Sequence, residues 1–166
     1  LLYAIFKKNF ANVLLGGNIG NSLSENIIFE KNNTVSDIHI VEVSSFQLEN
    51  IFTFKPKVSC IINITEDHME RYDDIQDYIK AKYKITKNHD NKTFIVYNED
   101  DPKLKKHYQK YINNRPFSLR KNIFDVFVDK SNITIKDSND KISLEEIQLI
   151  GNHNYYNILA TITIAK

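Results

Sequence analysis

The sequence predicts an α/β fold, with a mostly parallel sheet flanked by helices and a small antiparallel β-meander appended to it. Through residues 1–111, short apolar runs alternate with segments of helical spacing, as in parallel sheets whose strands are connected by helices. After residue 121 the rhythm changes, and three short β-type runs follow one another with only polar turns between them. These two observations predict the two parts of the fold.

The helices are predicted from apolar residues that recur at helical spacing. They cover residues 1–10, 21–30, 72–86, 101–111 and 155–166. Pro102 suits the first turn of its helix, where the missing N–H would have no helical partner. The predicted strands are 12–15, 37–43, 58–64 and 93–97, followed by 125–128, 133–135 and 147–150 in the meander. The run at 58–64 is nearly continuously apolar, as expected of a strand covered on both faces.

Composition excludes several classes of protein. Hydrophobic residues make up 42% and charged residues 26%, which is typical of a globular domain and not of a disordered or fibrous chain. A net charge of +1 gives no reason to expect a nucleic acid or a membrane surface as partner. With no export signal and no long apolar run, we expect a cytoplasmic protein. The single cysteine, Cys60, cannot form an internal disulfide, and its apolar neighbours predict a buried, inert thiol.

Polar residues follow three of the predicted parallel strands. Asn18 follows the first, while Glu42, Ser44 and Gln47 surround the end of the second. A third polar set, residues 63–68, begins at the end of the strand 58–64. Because ligands bind outside the carboxyl ends of parallel strands, we expect these sets to converge on one crevice.

Two residues of these sets are candidate metal ligands. Glu42 interrupts an otherwise apolar strand, either because it faces solvent at an edge or because its carboxylate binds a metal ion or another cation. His68 follows an acidic pair, and alone it would be typical of a helix cap or of the surface. Beside Glu42 in a common crevice, it becomes a candidate ligand.

Helical geometry places Lys82 within an apolar stripe. At 100° per residue it lies about 20° from Ile75, whereas Lys80 and Lys84 fall on the opposite, solvated face. Its stem can pack along the apolar surface with the amine in water. Alternatively, the amine is held in the crevice, where burial favours its neutral, nucleophilic form.

The sequence GNHNYYN at 151–157 opens the last predicted helix. It fits an ordinary helix start with asparagine at the N-cap. Asn154 and Asn157, three residues apart, share a helix face, and their amides can also pair with the edge of an adenine.

Five segments, in their order and spacing, resemble the Mur ligases. They are GGNIG at 16–20, VEVSSFQLE at 41–49, NITEDHMERY at 63–72, YIKAK at 78–82 and GNHNYYN at 151–157. Phe46–Glu49, after the double serine, is similar to the branch of the family that adds D-glutamate. The resemblance implies that residues 1–166 are the family's central ATPase domain, of the P-loop type, truncated at both ends. The N-terminal UDP-binding domain, the phosphate-binding loop and the C-terminal domain of the family are then absent from this sequence.

The resemblance implies an ATP-dependent ligase of peptidoglycan precursor synthesis. The carboxylate of UDP-N-acetylmuramoyl-L-alanine would attack the γ-phosphate of ATP, and the amine of D-glutamate would then displace phosphate from the acyl phosphate. We expect a monomer as part of a longer enzyme, inactive as this chain alone. The alternative is a catalytically inactive remnant with at most weak nucleotide binding.

Site residues are carried over by position. Glu42, His68 and Lys82 match catalytic residues and Mg²⁺ ligands, with Lys82 acting as a carbamate. Substrate contacts near the UDP-sugar and the reacting acyl group are implied for Asn18, Ser44 and Gln47. Contacts to the adenine side of ATP are implied for Asn154 and Asn157.

Overall fold

A computed structural model describes residues 1–67, 69–149 and 151–166. These residues form two compact units, Leu1–Phe52 and Thr53–Lys166, and each is described by itself. The prediction at His68 and the end of the strand predicted at 147–150 lie outside the described residues.

The Leu1–Phe52 unit alternates helices and strands as predicted. It contains α1 (Leu2–Asn9), β1 (Val13–Gly17), α2 (Leu23–Asn32), β2 (Ile38–Glu42) and a short helix α3 (Ser45–Glu49). The strands are parallel, with Val13 opposite Ile38 and Gly17 opposite Glu42. A capping box starts α2: the Ser22 hydroxyl accepts from the Glu25 N–H, and the Glu25 carboxylate accepts from the Ser22 N–H.

The Thr53–Lys166 unit contains a parallel and an antiparallel sheet. The parallel sheet has the order β3 (Val58–Ile61), β4 (Phe94–Asn98), β5 (Asn114–Phe117). Helices α4 (Ile75–Tyr83), extended by a 3₁₀ turn at Lys84–Thr86, and α5 (Pro102–Tyr108) connect these strands. The meander is β6 (Val126–Asp129), β7 (Asn132–Ile135) and β8 (Asp140–Ser143), followed by a 3₁₀ turn, Leu144–Glu146, and α6 (Asn152–Ala165).

Strand β4 separates two clusters of buried apolar side chains. Ile95 and Tyr97 face a cluster that includes Leu104 of α5. The residue between them, Val96, faces a second cluster that includes Leu159 of α6. Successive side chains of a strand point to opposite faces, so β4 is covered on both sides, as the predicted α/β class requires.

Two of the predicted strands differ from the structure by more than one or two residues. The strand predicted at 58–64 ends at Ile61, because the backbone of Ile64 turns toward α5. There its N–H donates to the Asp101 carboxylate at 2.9 Å, and its carbonyl accepts from Lys103 Nζ at 2.9 Å. The third meander strand is β8, not 147–150, since the turn before it returns the chain at Asn139 with φ +57° and pairs Ile142 with Ile133.

Cys60 is half-buried, whereas the sequence predicted a buried thiol. Desolvation raises the pKa of its thiol to about 12, which keeps the thiol protonated and unreactive at neutral pH. Within the described part of the chain, none of the helices has the length and apolar character needed to cross a membrane.

Candidate functional site

The carboxyl ends of β1 and β2 bring two predicted site residues together. Asn18 Nδ2 donates to Glu42 Oε1 at 3.2 Å, and the Asn18 N–H donates to the Glu42 carbonyl oxygen at 2.8 Å. Both residues are exposed. The pair therefore presents an oriented carboxylate to solvent at the end of a parallel strand, where ligands bind in such sheets.

Gly17 makes this close approach of the two strand ends feasible. Its φ is +107°, and a Cβ added to it would lie 2.2 Å from the Glu42 carbonyl oxygen. Any L side chain would both strain the backbone and push β1 away from Glu42. The requirement for glycine at position 17 of the 16–20 motif thus has a physical reason within this unit.

Ser44 and Gln47 form a second capping box, at the start of α3. The Ser44 hydroxyl accepts from the Gln47 N–H at 3.3 Å, and Gln47 Oε1 accepts from the Ser44 N–H at 2.9 Å. Ser44 is half-buried and Gln47 exposed. The bonds fix both side chains at the start of the helix that follows β2, so the helix cap alone accounts for these two residue types.

The carboxylate of Glu42 has the chemistry of a magnesium ligand. An exposed carboxylate oxygen is the ligand type that this hard cation prefers. Among residues 1–67, 69–149 and 151–166, no group of three or more His, Cys, Asp or Glu side chains is arranged to hold a metal ion. The predicted partner His68 lies outside these ranges, so its pairing with Glu42 stays a prediction, as does the crevice common to three strands.

Lys82 belongs to α4 in the second unit and is half-buried. Its Nζ lies 5.0 Å from the centroid of the buried Tyr78 ring, a cation–π contact that stabilises an inward ammonium. Lys80 is exposed and pairs with Asp77 at 2.8 Å. Lys84, the first residue of the 3₁₀ turn that follows α4, is half-buried instead of solvated as predicted.

The 151–157 motif starts α6, as predicted, but Gly151, not an asparagine, is its N-cap. Gly151 has φ +108°, and a Cβ there would approach the His153 ring to 2.9 Å. The Asn154 N–H donates to the Gly151 carbonyl at 3.0 Å. Asn154 and Asn157 are both half-buried on this helix.

A polar cluster after β4 was not predicted. Asp100 accepts three hydrogen bonds: from Ser118 Oγ at 2.7 Å, the Leu119 N–H at 2.9 Å and the Tyr156 hydroxyl at 3.1 Å. The signal that identified the other polar sets was also present here, since the run Asn98–Asp101 follows a predicted strand. The cluster connects the ends of β4 and β5 to α6.

Comparison with known proteins gives a consistent result. The family model described as "Mur ligase middle domain" matches residues 1–165. The chain is 37% identical to a UDP-N-acetylmuramoylalanine–D-glutamate ligase of Bacteroides fragilis, over 96% of this chain and 36% of that protein. A ligase of the same name in Fusobacterium nucleatum is 39% identical over 100% of this chain and 36% of that protein. Another, in Geotalea daltonii, is 40% identical over 95% of this chain and 35% of that protein.

Solved structures of ligases share the fold. A UDP-N-acetylmuramoyl-L-alanyl-D-glutamate–2,6-diaminopimelate ligase superposes with a TM-score of 0.74 at 18% identity, over 99% of this chain and 39% of that one. The MurF ligase of Thermotoga maritima, determined in complex with ADP, superposes with a TM-score of 0.66 at 19% identity. The match covers 98% of this chain and 40% of that one. The chain thus spans a little over a third of the length of the relatives it matches.

Proposed function

This chain belongs to the Mur ligase family, and on that premise we propose that residues 1–166 are the central, ATP-binding domain of a ligase that joins D-glutamate to UDP-N-acetylmuramoyl-L-alanine. The observation that carries the proposal is the 37–40% identity to D-glutamate ligases over nearly the whole chain. The enzyme acts in peptidoglycan precursor synthesis, in the cytoplasm, as a monomer, without nucleic acid or membrane partners.

The proposed reaction has two steps. The carboxylate oxygen of the UDP-linked alanine attacks the γ-phosphorus of ATP, and ADP leaves, which produces an acyl phosphate. The neutral amine of D-glutamate then attacks the acyl carbon; the amide bond forms, inorganic phosphate leaves, and the amine loses its proton to water. The energy of ATP hydrolysis thereby drives formation of one amide bond.

Magnesium would be held by Glu42, His68 and Lys82 after its carbamylation, and it supplies positive charge that stabilises the transferring phosphoryl group. The hydrogen bond from Asn18 to Glu42 supports the assignment of Glu42, because it holds the carboxylate in one orientation at the strand end. For Lys82, carbamylation would need the neutral amine and would replace the contact of the ammonium with Tyr78.

The remaining assignments concern the substrates. Ser44 and Gln47 are proposed to contact the UDP-sugar substrate together with Asn18. Their capping box would fix the two side chains before the substrate arrives. Asn154 and Asn157 are proposed to contact the adenine of ATP from the first turns of α6.

The test is phosphate release by the complete ligase that carries this chain, with ATP, magnesium, UDP-N-acetylmuramoyl-L-alanine and D-glutamate. We expect turnover with D-glutamate and none with L-lysine or diaminopimelate, whereas this chain alone should release no phosphate above background. A complete protein that binds no ATP and releases no phosphate would establish the inactive remnant instead.

Glu42→Gln in the complete ligase should lower kcat by about 10²–10³-fold, because it removes a charge near the transferring phosphoryl group. Glu145→Gln is the matched control, since Glu145 is an exposed carboxylate of the 3₁₀ turn after β8. Equal activity of the two variants at ordinary magnesium concentrations would contradict the assignment of Glu42.

A further inference from the structure

The first turns of α6 bury no side chain completely, although Tyr156 and Ile158 pack against the second apolar cluster. Its N-cap, Gly151, makes no side-chain capping bond. The helix buries Leu159, Ala160, Thr161 and Thr163, and all of these lie after its second turn. The orientation of these turns, which carry Asn154 and Asn157, therefore depends on contacts of partly buried side chains.

Tyr156 provides such a contact from within these turns. Its hydroxyl donates to Asp100 Oδ2 at 3.1 Å, across 56 residues of sequence. Asp100 is itself fixed, because Ser118 Oγ donates to Oδ1 at 2.7 Å and the Leu119 N–H to Oδ2 at 2.9 Å. Ser118 is fully buried at the end of β5, so the chain of contacts begins in the core.

We propose that Tyr156, through its bond to Asp100, is a positioning residue that holds Asn154 and Asn157 in the orientation in which they bind a purine nucleotide. The inference rests on the proposed function, since it takes the two asparagines as adenine contacts. It adds the pair of Tyr156 and Asp100, which would influence the affinity for the nucleotide without contacting it.

The charge state of the pair suits this role. Burial, and then the neighbouring Asp100 carboxylate, raise the pKa of the Tyr156 phenol, against a smaller opposing effect of Arg120. The phenol therefore remains a protonated donor throughout the neutral range. A hydrogen bond to a charged acceptor is among the stronger ones in proteins, so its loss should be measurable.

The test compares Tyr156→Phe with Tyr155→Phe in the complete ligase. The control removes the same hydroxyl from the neighbouring residue of α6. Tyr156→Phe should raise the KM for ATP by about fivefold, as expected for loss of one net hydrogen bond, with kcat at saturating ATP unchanged. Tyr155→Phe should leave both constants unchanged. Amide hydrogen exchange of residues 152–158 in this chain should accelerate only in Tyr156→Phe.

Substitutions of Asp100 provide a rescue. Asp100→Asn keeps an oxygen that can accept from the Tyr156 hydroxyl and should keep the KM for ATP within about twofold. Asp100→Ala should raise this KM at least as much as Tyr156→Phe does.

Equal KM values in Tyr156→Phe and Tyr155→Phe would overturn the inference while leaving the proposed function intact, and so would faster exchange without a change in KM. If the unaltered ligase binds no ATP, the proposed function fails and the inference fails with it.

Discussion

Gly17 imposes a conformational requirement on which the contact of Asn18 with Glu42 depends. Gly17→Ala should lower the free energy of unfolding by about 2–3 kcal/mol, because positive φ is strained for alanine and its Cβ would lie 2.2 Å from the Glu42 carbonyl oxygen. The measurement is urea unfolding followed by circular dichroism.

Gly20→Ala is the control for this substitution. Gly20 also has positive φ, +83°, but the nearest atom to an added Cβ is 3.3 Å away. It should therefore cost less, since strain acts there without a severe clash. If Gly17→Ala costs no more than Gly20→Ala, the close approach to Glu42 is not what requires glycine.

The candidate site shows which parts of a site a sequence can predict. The position of Asn18 and Glu42 at adjacent strand ends follows from the alternation of strands and helices, so their contact was predictable. The mutual capping of Ser44 and Gln47 was not predicted, although the Ser-x-x-Gln spacing is a capping-box pattern. The cation–π contact of Lys82 depends on the rotamers of two side chains, which periodicity does not determine.

Two lysines of helix α4, Lys82 and Lys80, should differ in their importance for activity. In the complete ligase, Lys82→Ala should be nearly inactive, and short-chain carboxylates such as acetate should partly restore turnover by replacing the proposed carbamate. Lys80→Ala is the control, because Lys80 is exposed and pairs with Asp77 on the other side of the helix. Full activity of Lys82→Ala, or the same loss and rescue in Lys80→Ala, would exclude the carbamate assignment.

Two strands were not predicted, for identifiable reasons. Strand β5 contains Arg115 and Pro116, and proline within a run argues against a central strand. It is accommodated because β5 pairs with β4 at the edge of the parallel sheet. Strand β8 is polar, and only its pairing with β7 makes it a strand, whereas the more apolar 147–149 segment has no regular structure.

The two units differ in how much apolar surface they bury. In Leu1–Phe52 the buried hydrophobic side chains are Val13 and Leu48, and α1 buries no residue. Both apolar clusters belong to Thr53–Lys166. Hydrogen exchange followed by mass spectrometry should therefore show amides of α1 and α2 exchanging about 100-fold faster, or more, than those of β4 and α6. Equal protection in both units would contradict this distribution of stability.

Two histidines make the stability of the Thr53–Lys166 unit depend on pH. Desolvation lowers the pKa of His89, which contacts Ser59 Oγ at 2.8 Å, and of His107, which stacks on Tyr83 at 3.7 Å. Their ordinary pKa is 6.5, so below that pH the unfolded chain binds more protons than the folded chain. The free energy of unfolding should thus fall between pH 7 and pH 5.

Urea unfolding at pH 7.5 and 5.5 measures this dependence. Half-buried carboxylates such as Glu99 act at lower pH: partial burial would raise its pKa, but bonds from Lys121 and Lys105 hold the value below 4.5. Replacing both His89 and His107 with glutamine should flatten the change between the two pH values, whereas His153→Gln, at an exposed position, should not. A double variant with the unaltered slope would contradict the assignment to these histidines.

The β6–β7–β8 meander should form early when the chain refolds. Its strands lie within residues 126–143 and are joined by short connections, with the chain reversing near Lys130 and Asn139 at positive φ. Pairing β3 with β4 instead brings together Val58 and Phe94, with a helix between them. Closing short loops takes far less search time than closing long ones, so the hairpins should form first in refolding. The meander, which contains none of the proposed site residues, would then be an early folding nucleus. Its Val126 and Ile133 belong to the apolar cluster that also contains Leu159 of α6.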